Sequence, residues 1–375
     1  VSANGPAGGV ARAEAQAVLT IDLGALADNW RALARIGGAA ECAAVVKADA
    51  YGTGLEPAAR ALANAGCRTF FVAHASEARR ARAAIGASEA LIYALNGVLQ
   101  DEENARALIA ANAAPVIGSA EEWSAWRSHA PGRACALHID TGMNRLGASA
   151  DEARAIAADP GALAIDLVIS HFVASEEPDN ALNARQIAAF EAVRPLFPQA
   201  RASMANSSGV LLPHKPHYDL TRPGYALYGG NPAPGSANPM KPVVTLDATI
   251  LRVRPVKAGA TVGYNATWTA QRDSLLAVIG VGYADGILRS ASGANGRTGG
   301  EAIIGGARCP FVGRVSMDLI VIDATDAPRG ALQPGGAARL LGPEITVDDL
   351  AERAGTIGYE VLTSLGRRYC RVHAG

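Results

Sequence analysis

From about residue 43 to residue 230 the chain alternates short apolar or β-branched runs, eight in all, with Ala-rich runs of helical character. The strands are read at Ala43–Val46, Thr69–Ala73, Leu91–Ala94, Pro115–Ile117, Ala136–Ile139, Leu163–Ser170, Arg201–Met204 and Tyr218–Leu220. Helices are expected over Leu55–Ala65, Ser76–Ile85, Glu102–Ala111, Glu121–His129, Asp151–Ala158, Ala181–Val193 and, as a short helix, Ser207–Leu212. Strands that alternate with helices build a parallel sheet. Eight units at this spacing predict an α/β fold with an N-terminal (β/α)8 TIM-type barrel. An open doubly wound sheet is the other option, but no G-x-G-x-x-G follows the first strand.

The pattern stops at a Pro/Gly linker, Asn231-Pro232-Ala233-Pro234-Gly235. Beyond it the runs Val243–Val253, Ser274–Val281, Gly300–Ile304, Leu319–Ile322 and Ala338–Leu341 are separated by Gly, Pro and Asp, so a C-terminal mostly-β domain is expected. The division is therefore a loose tail over 1–14, a barrel over 15–240 and a β-rich domain over 241–375. An early strand at Val18–Leu23, ahead of a helix at Leu26–Leu33, fits either domain.

Composition narrows the function. The formal net charge is -1 and no basic run occurs, which argues against nucleic acid and anionic membranes as partners. No apolar stretch approaches the length of a membrane span. The five cysteines (Cys42, Cys67, Cys135, Cys309, Cys370) are odd in number, scattered and free of any C-x-x-C, so neither a disulfide framework nor a metal site is expected. A reducing, cytoplasmic setting follows.

In a barrel, functional groups sit at the C-terminal ends of strands. Lys47 ends the first strand and is followed by Ala48-Asp49-Ala50-Tyr51-Gly52-Thr53-Gly54, read as a Gly-rich loop. Apolar neighbours would lower its pKa and leave neutral amine for a Schiff base with pyridoxal phosphate. A lysine that snorkels to solvent is the alternative. The same rim carries Asp140–Gly147, Ser170-His171-Phe172, Asn206–Gly209 and Thr221–Gly224. Ser207 and Gly224, in the loops after the last two strands, suit a phosphate, although a helix cap and a turn glycine explain each singly. Arg145 and Arg222 are fixed cations for carboxylate or cofactor oxygens, or else surface ion pairs. An arginine facing a pyridine nitrogen keeps that nitrogen unprotonated, which suppresses transamination and leaves proton exchange at Cα. His171 suits ring stacking or a structural role. In the β domain, Gly263–Trp268 presents Tyr264 as an acid/base phenol or a packing residue. Gly313–Asp318 forms a tight loop, and Tyr283 and Tyr359 could wall a small pocket.

Taken together, these segments resemble the alanine racemase family. The resemblance runs from about Leu19 to Tyr369. It is carried by Val45-Val46-Lys47-Ala48-Asp49-Ala50-Tyr51-Gly52, Asp140–Gly147, Ala205-Asn206-Ser207, Arg222–Gly229, Gly282–Gly286 and Gly313–Asp318. It implies pyridoxal 5'-phosphate as cofactor and L/D-alanine interconversion, for peptidoglycan precursors or alanine catabolism. It implies two catalytic residues, Lys47 on the D side and Tyr264 of a second subunit on the L side, hence a homodimer with shared sites. It assigns cofactor contacts to Lys47, Tyr51, His171, Asn206, Ser207, Arg222, Gly224, Tyr225 and Tyr359. Substrate contacts fall to Arg145, Met317, Tyr283 and Asp318. Three positions depart from the commonest family pattern: His138 replaces a lysine that is often carbamylated, Ser203 a histidine that braces the arginine, and Ser316 a cysteine. A broader racemase that accepts serine is the nearest alternative. A non-catalytic cofactor-binding barrel would lack the β domain, a decarboxylase would need an acidic residue where Arg222 stands, and a cofactor-free barrel aldolase would leave the phosphate features unused.

Overall fold

The computed structural model describes residues 10–86, 89–99 and 101–375. The described residues divide into two compact units, one of residues 26–241 and one of residues 10–25 with 242–375.

In the first unit, seven parallel strands run in sequence order: Ala44–Val45, Thr69–Val72, Leu91–Ala94, Ala114–Ile117, Cys135–His138, Ile165–Ile169 and Arg201–Ser203. The ends are joined through an eighth strand, Leu220–Thr221, which pairs in parallel with Glu41–Cys42 just ahead of Ala44. On its other side, Asp219 and Arg222 donate their N–H groups to Ala202 O and Ala205 O. The sheet therefore closes into the expected barrel, and no edge is left open. Strands such as Thr69–Val72 and Cys135–His138 are buried at every residue. A parallel strand covered on both faces reads as an unbroken apolar run, which is why these strands stand out in the sequence. Four of the helices start on side-chain caps: Asp101, Ser119, Ser149 and Asn180 each accept an N–H of the first turn. Each such cap stabilises its helix by ~1 kcal/mol.

Details differ from the sequence reading: the short helix expected over Ser207–Leu212 is a 3-10 turn, Gly209–Leu211, and the eighth strand begins at Leu220, because Tyr218 has a φ of 52°. Pro160–Ala164 forms a 3-10 turn that shortens the sixth strand at its start, because Asp159 caps a segment opened by proline. The expected loop after Lys47 is a left-handed helical turn.

In the second unit, the long strand Val244–Val256 is central. It pairs antiparallel with Ala17–Asp22, with Ser274–Ile279 and with Ala337–Leu341. Its first half alternates buried and half-buried residues, as a sheet with one covered face requires. The early strand, Ala17–Asp22, lies in this sheet, between Val244–Val256 and a parallel C-terminal strand, Cys370–Ala374. Of the tail expected over 1–14, residues 1–9 lie outside the described residues; the rest turns through Glu14 N–H to Ala11 O. Two helices in this unit, Val347–Ala354 and Gly358–Ser364, were not expected. The first begins on a reciprocal Thr346/Asp349 capping box, a signal that stands in the sequence.

Candidate active site

Lys47 follows the buried strand Ala44–Val45, which is hydrogen-bonded to the second strand on one side. On the other, Val45 N–H donates to Pro223 O, in the loop after the eighth strand. The four residues after Lys47 all have positive φ: Ala48 54°, Asp49 55°, Ala50 53° and Tyr51 53°. None is glycine, and each such residue costs roughly 1–2 kcal/mol in the left-handed region. The turn ends at Gly52, whose own φ of 79° carries no such penalty. Burial holds the Lys47 pKa below its ordinary value, Arg145 lowers it further, and Glu77 opposes both. A larger share of its amine is therefore neutral than in a solvated lysine.

The left-handed turn carries Tyr51 inward. Its ring stacks on Tyr228 at 4.7 Å, and the Tyr228 hydroxyl donates to Val45 O at 3.0 Å. A Cβ at Gly224 would fall 2.3 Å from the Tyr51 hydroxyl oxygen, so only glycine fits there. The Ser207 hydroxyl accepts the N–H groups of Gly224 (3.0 Å) and Ala226 (3.1 Å). Its own proton is then left to donate. Tyr51, Ser207, Gly224 and the buried Tyr225 are thus gathered where the loops after the first, seventh and eighth strands converge. Asn206 holds that convergence from behind: its Oδ1 accepts from Gly209 N–H and the Ser175 hydroxyl.

Arg222, only 5% exposed, donates to Ser170 O (2.5 Å) and to the Ser203 hydroxyl. Ser203 in turn donates to Leu220 O, so this serine braces the arginine in place of an imidazole. Burial pushes the Arg222 pKa down to about 9, still a cation at neutral pH. His171 is pushed down to about 3 by burial and by Arg222, Arg145 and Lys47, and His138 to about 4 by burial, Arg222 and Arg145 against Asp140. Both imidazoles are neutral.

The loop Asp140–Gly147 is wound around one carboxylate: Asp140 accepts the N–H groups of Gly142, Met143 and Asn144. This loop presents Arg145, which is exposed. Gln186, which the sequence did not single out, ties it to the next loop. Gln186 is buried, donates to the Thr141 hydroxyl and to His171 O, and accepts from Val173 N–H. Thr141 and Ser170 hydroxyls meet at 2.7 Å beside it.

The remaining expected residues belong to the β-rich unit. Tyr264 is 69% exposed and sits on a turn whose Asn265 and Ala266 have positive φ. Gly263, before it, abuts the Gly313–Arg314 backbone. Tyr283 N–H donates to Ser316 O and Ala284 N–H to Met317 O, so Tyr283 and Met317 stand side by side. A Cβ at Gly282 would fall 2.2 Å from Ser316 O, which makes glycine a condition of that contact. Asp318 accepts from Arg368, which also pairs with buried Asp285. Tyr359 lies in the helix Gly358–Ser364 of this unit.

Within the barrel unit, Lys47, Arg145 and Arg222 form a cationic cluster. No ion pair among the described residues neutralises them. With a neutral imidazole, a free hydroxyl proton and a glycine-walled cradle, these residues fit an anionic, aldehyde-bearing ring such as pyridoxal phosphate. Among the described residues no His/Cys/Asp/Glu group could hold a metal ion.

Residues 21–232 match the family model described as alanine racemase, N-terminal domain, and residues 243–373 the one described as alanine racemase, C-terminal domain. The chain is 52% identical over 364 residues to an alanine racemase of Methylobacterium sp. (strain 4-46), covering 95% of this chain and 97% of that protein. It is 49% identical over 362 residues to an alanine racemase of Acidiphilium cryptum (strain JF-5), covering 94% and 98%. Its fold is similar, with a TM-score of 0.88 and 36% identity over 96% of this chain and 99% of the other, to the crystal structure of alanine racemase from Bartonella henselae with covalently bound pyridoxal phosphate. The chain belongs to the alanine racemase family.

Proposed function

We propose that Lys47 and Tyr264 are the two acid/base groups through which this chain interconverts L- and D-alanine. The cofactor is pyridoxal 5'-phosphate. When bound, it supplies the electron-withdrawing system that makes the alanine Cα–H acidic. The observation that carries the residue assignment is the unneutralised cluster of Lys47, Arg145 and Arg222 beside neutral His171.

In this reading Lys47 carries the cofactor and exchanges the Cα proton on the D side, which its depressed pKa favours. Tyr264 exchanges it on the opposite face. Ser207, Gly224, Tyr225, Tyr51 and Tyr359 hold the phosphate, with Asn206 supporting Ser207. His171 packs on the ring. Arg222 would meet the pyridine nitrogen and, being a cation, would leave it unprotonated, which would favour return of the proton at Cα over transamination. Arg145 and the Met317 backbone orient the substrate, with Asp318 beside them. Tyr283 and Tyr359 narrow the entry to small side chains. Tyr264 comes from a second copy, so the working unit is a homodimer. The exposure of Tyr264, Met317, Tyr283 and Leu319 on the β-rich unit supports that reading, since a cluster of large apolar side chains in water marks an association surface. A cytoplasmic setting is supported by five cysteines that are all free and buried. No helix among the described residues is long and apolar enough to cross a membrane.

The test follows D/L interconversion of alanine, serine and a larger amino acid in wild type and Tyr264→Phe, with the visible absorbance of the bound cofactor followed in Lys47→Ala. Tyr264→Phe should lose most activity, with proton removal from the L-enantiomer hit hardest, and Lys47→Ala should lose the visible band. Full activity in Tyr264→Phe would sink the two-base assignment.

A further inference from the structure

We propose that Glu77 and Arg80 are positioning residues for Lys47: from one face of the helix Ala75–Ile85 they grip the left-handed turn after Lys47 and so set the direction in which its amine enters the site. The inference rests on Lys47 as the cofactor-bearing residue and goes beyond it, because neither side chain reaches the cofactor in that reading.

Four consecutive non-glycine residues in the left-handed region persist only where their surroundings over-determine them. The surroundings here are specific. Glu77 is 7% exposed, and its two oxygens divide their work: Oε1 accepts Ala48 N–H at 2.7 Å and Oε2 accepts Ala73 N–H at 2.8 Å. One carboxylate thus joins the residue after Lys47 to the residue after the second barrel strand, Thr69–Val72. Arg80, three residues on and therefore on the same helix face, donates to Asp49 Oδ1 at 2.6 Å and to both oxygens of Glu56 at 2.6 and 2.7 Å. Residues 48 and 49 are therefore each held by a charged group from outside the turn. Asp49 completes the grip by accepting Leu55 N–H at 3.1 Å.

An ordinary first-turn glutamate explains the bond to Ala73 but not the bond to Ala48, twenty-nine positions away. The two bonds also bear on Lys47 directly. A peptide N–H fixed at Ala48 fixes the plane of the Lys47–Ala48 peptide, and with it one of the two soft dihedrals of Lys47. Released, residues 48–51 would relax toward the common backbone regions and rotate the lysine away from Arg145.

The test uses holoenzyme. Glutamine at 77 offers one acceptor oxygen for two N–H groups, so Glu77→Gln loses half the grip. Its kcat should fall about 10²-fold in both directions with KM nearly unchanged, as misplacement of a reacting group produces. The cofactor should also be released faster to hydroxylamine. Ala48 is exposed, and glycine there takes the left-handed conformation without penalty. Adding Ala48→Gly to Glu77→Gln should therefore restore activity by about 5- to 30-fold. A merely structural glutamate would show no such rescue. Wild-type kcat and hydroxylamine reactivity in Glu77→Gln, or no recovery with Ala48→Gly, overturns the proposal. If Glu77→Gln does not fold, Arg80→Gln, at a half-exposed site, carries the same test: slower turnover and faster release are expected, and unchanged values overturn it. Lys47→Ala separates the two readings. A visible band that persists there defeats the Lys47 assignment, whereas a band lost there beside an unaffected Glu77→Gln defeats only the positioning role.

Discussion

His138 and His171 are imidazoles set among cations, and that placement makes an acid-sensitive feature of this barrel. Both are held well below the ordinary histidine pKa of 6.5, at about 4 and about 3, by burial first and by Arg222 and Arg145 after it. Above pH 6.5 the rings are neutral in folded and unfolded chain alike. As pH falls below 6.5 the unfolded rings take up protons while the folded ones do not until pH 4 and lower. The unfolded state then binds more protons, so stability is lost as pH falls through that window. Each histidine contributes a slope of up to about 1.4 kcal/mol per pH unit. Urea unfolding at pH 6.5, 5.5 and 4.5 should show the loss, and His138→Asn should flatten it toward the slope of His171 and the carboxylates. An unchanged slope in His138→Asn would mean that the ring takes up its proton without penalty.

At the scale of elements, the loops after the fifth and sixth strands depend on one amide from the helix Ala181–Val193. Gln186 makes three hydrogen bonds across them, to Thr141, His171 and Val173. Leucine at that position would fill a similar volume and leave Val173 N–H and His171 O unpaired. An unpaired buried group costs about 1–3 kcal/mol. Gln186→Leu should therefore unfold at lower urea, and its cofactor should dissociate more readily because the His171 backbone loses its anchor. A variant with wild-type urea midpoint and cofactor affinity would show that water replaces the amide. Gln186 also shows where the sequence stops being legible. The strands could be read because burial on both faces turns them into apolar runs, and Lys47, Arg145 and Arg222 could be singled out because they recur on one rim of the expected barrel, although a snorkelling lysine or a surface ion pair explained each singly. A glutamine inside a helix has many reasons to be there. The left-handed turn was hidden for the opposite reason: Ala-Asp-Ala-Tyr contains no glycine to announce positive φ, and the groups that enforce it, Glu77 and Arg80, come from the next helix. The two helices near the C-terminus are short, and their capping signal lies among turn residues that look alike.

At the scale of the whole molecule, the barrel unit holds the cationic cluster while the β-rich unit presents a tyrosine, Tyr264, that packs against little of its own chain. Its 69% exposure is high for a large aromatic side chain. Met317, at 54%, and Tyr283, at 41%, are exposed with it. Isologous pairing of two copies would cover each patch with the other copy and supply each barrel with a second-copy tyrosine. This makes a quantitative prediction. Under the proposed two-base reading, chains carrying Lys47→Ala and chains carrying Tyr264→Phe should each have little activity on their own. Mixed in equal amounts and allowed to exchange, they form half heterodimers. In a heterodimer with shared sites, one site receives both substitutions and the other receives neither. One of two sites in half of the dimers is then intact, so activity should return to about one quarter of wild type. If Lys47 and Tyr264 of the same chain met in one site, every site in the mixture would carry a substitution and no activity would return. The two cases are separated by a single rate, measured before and after exchange, with the dimer fraction followed by sedimentation so that absence of exchange is not mistaken for absence of sharing.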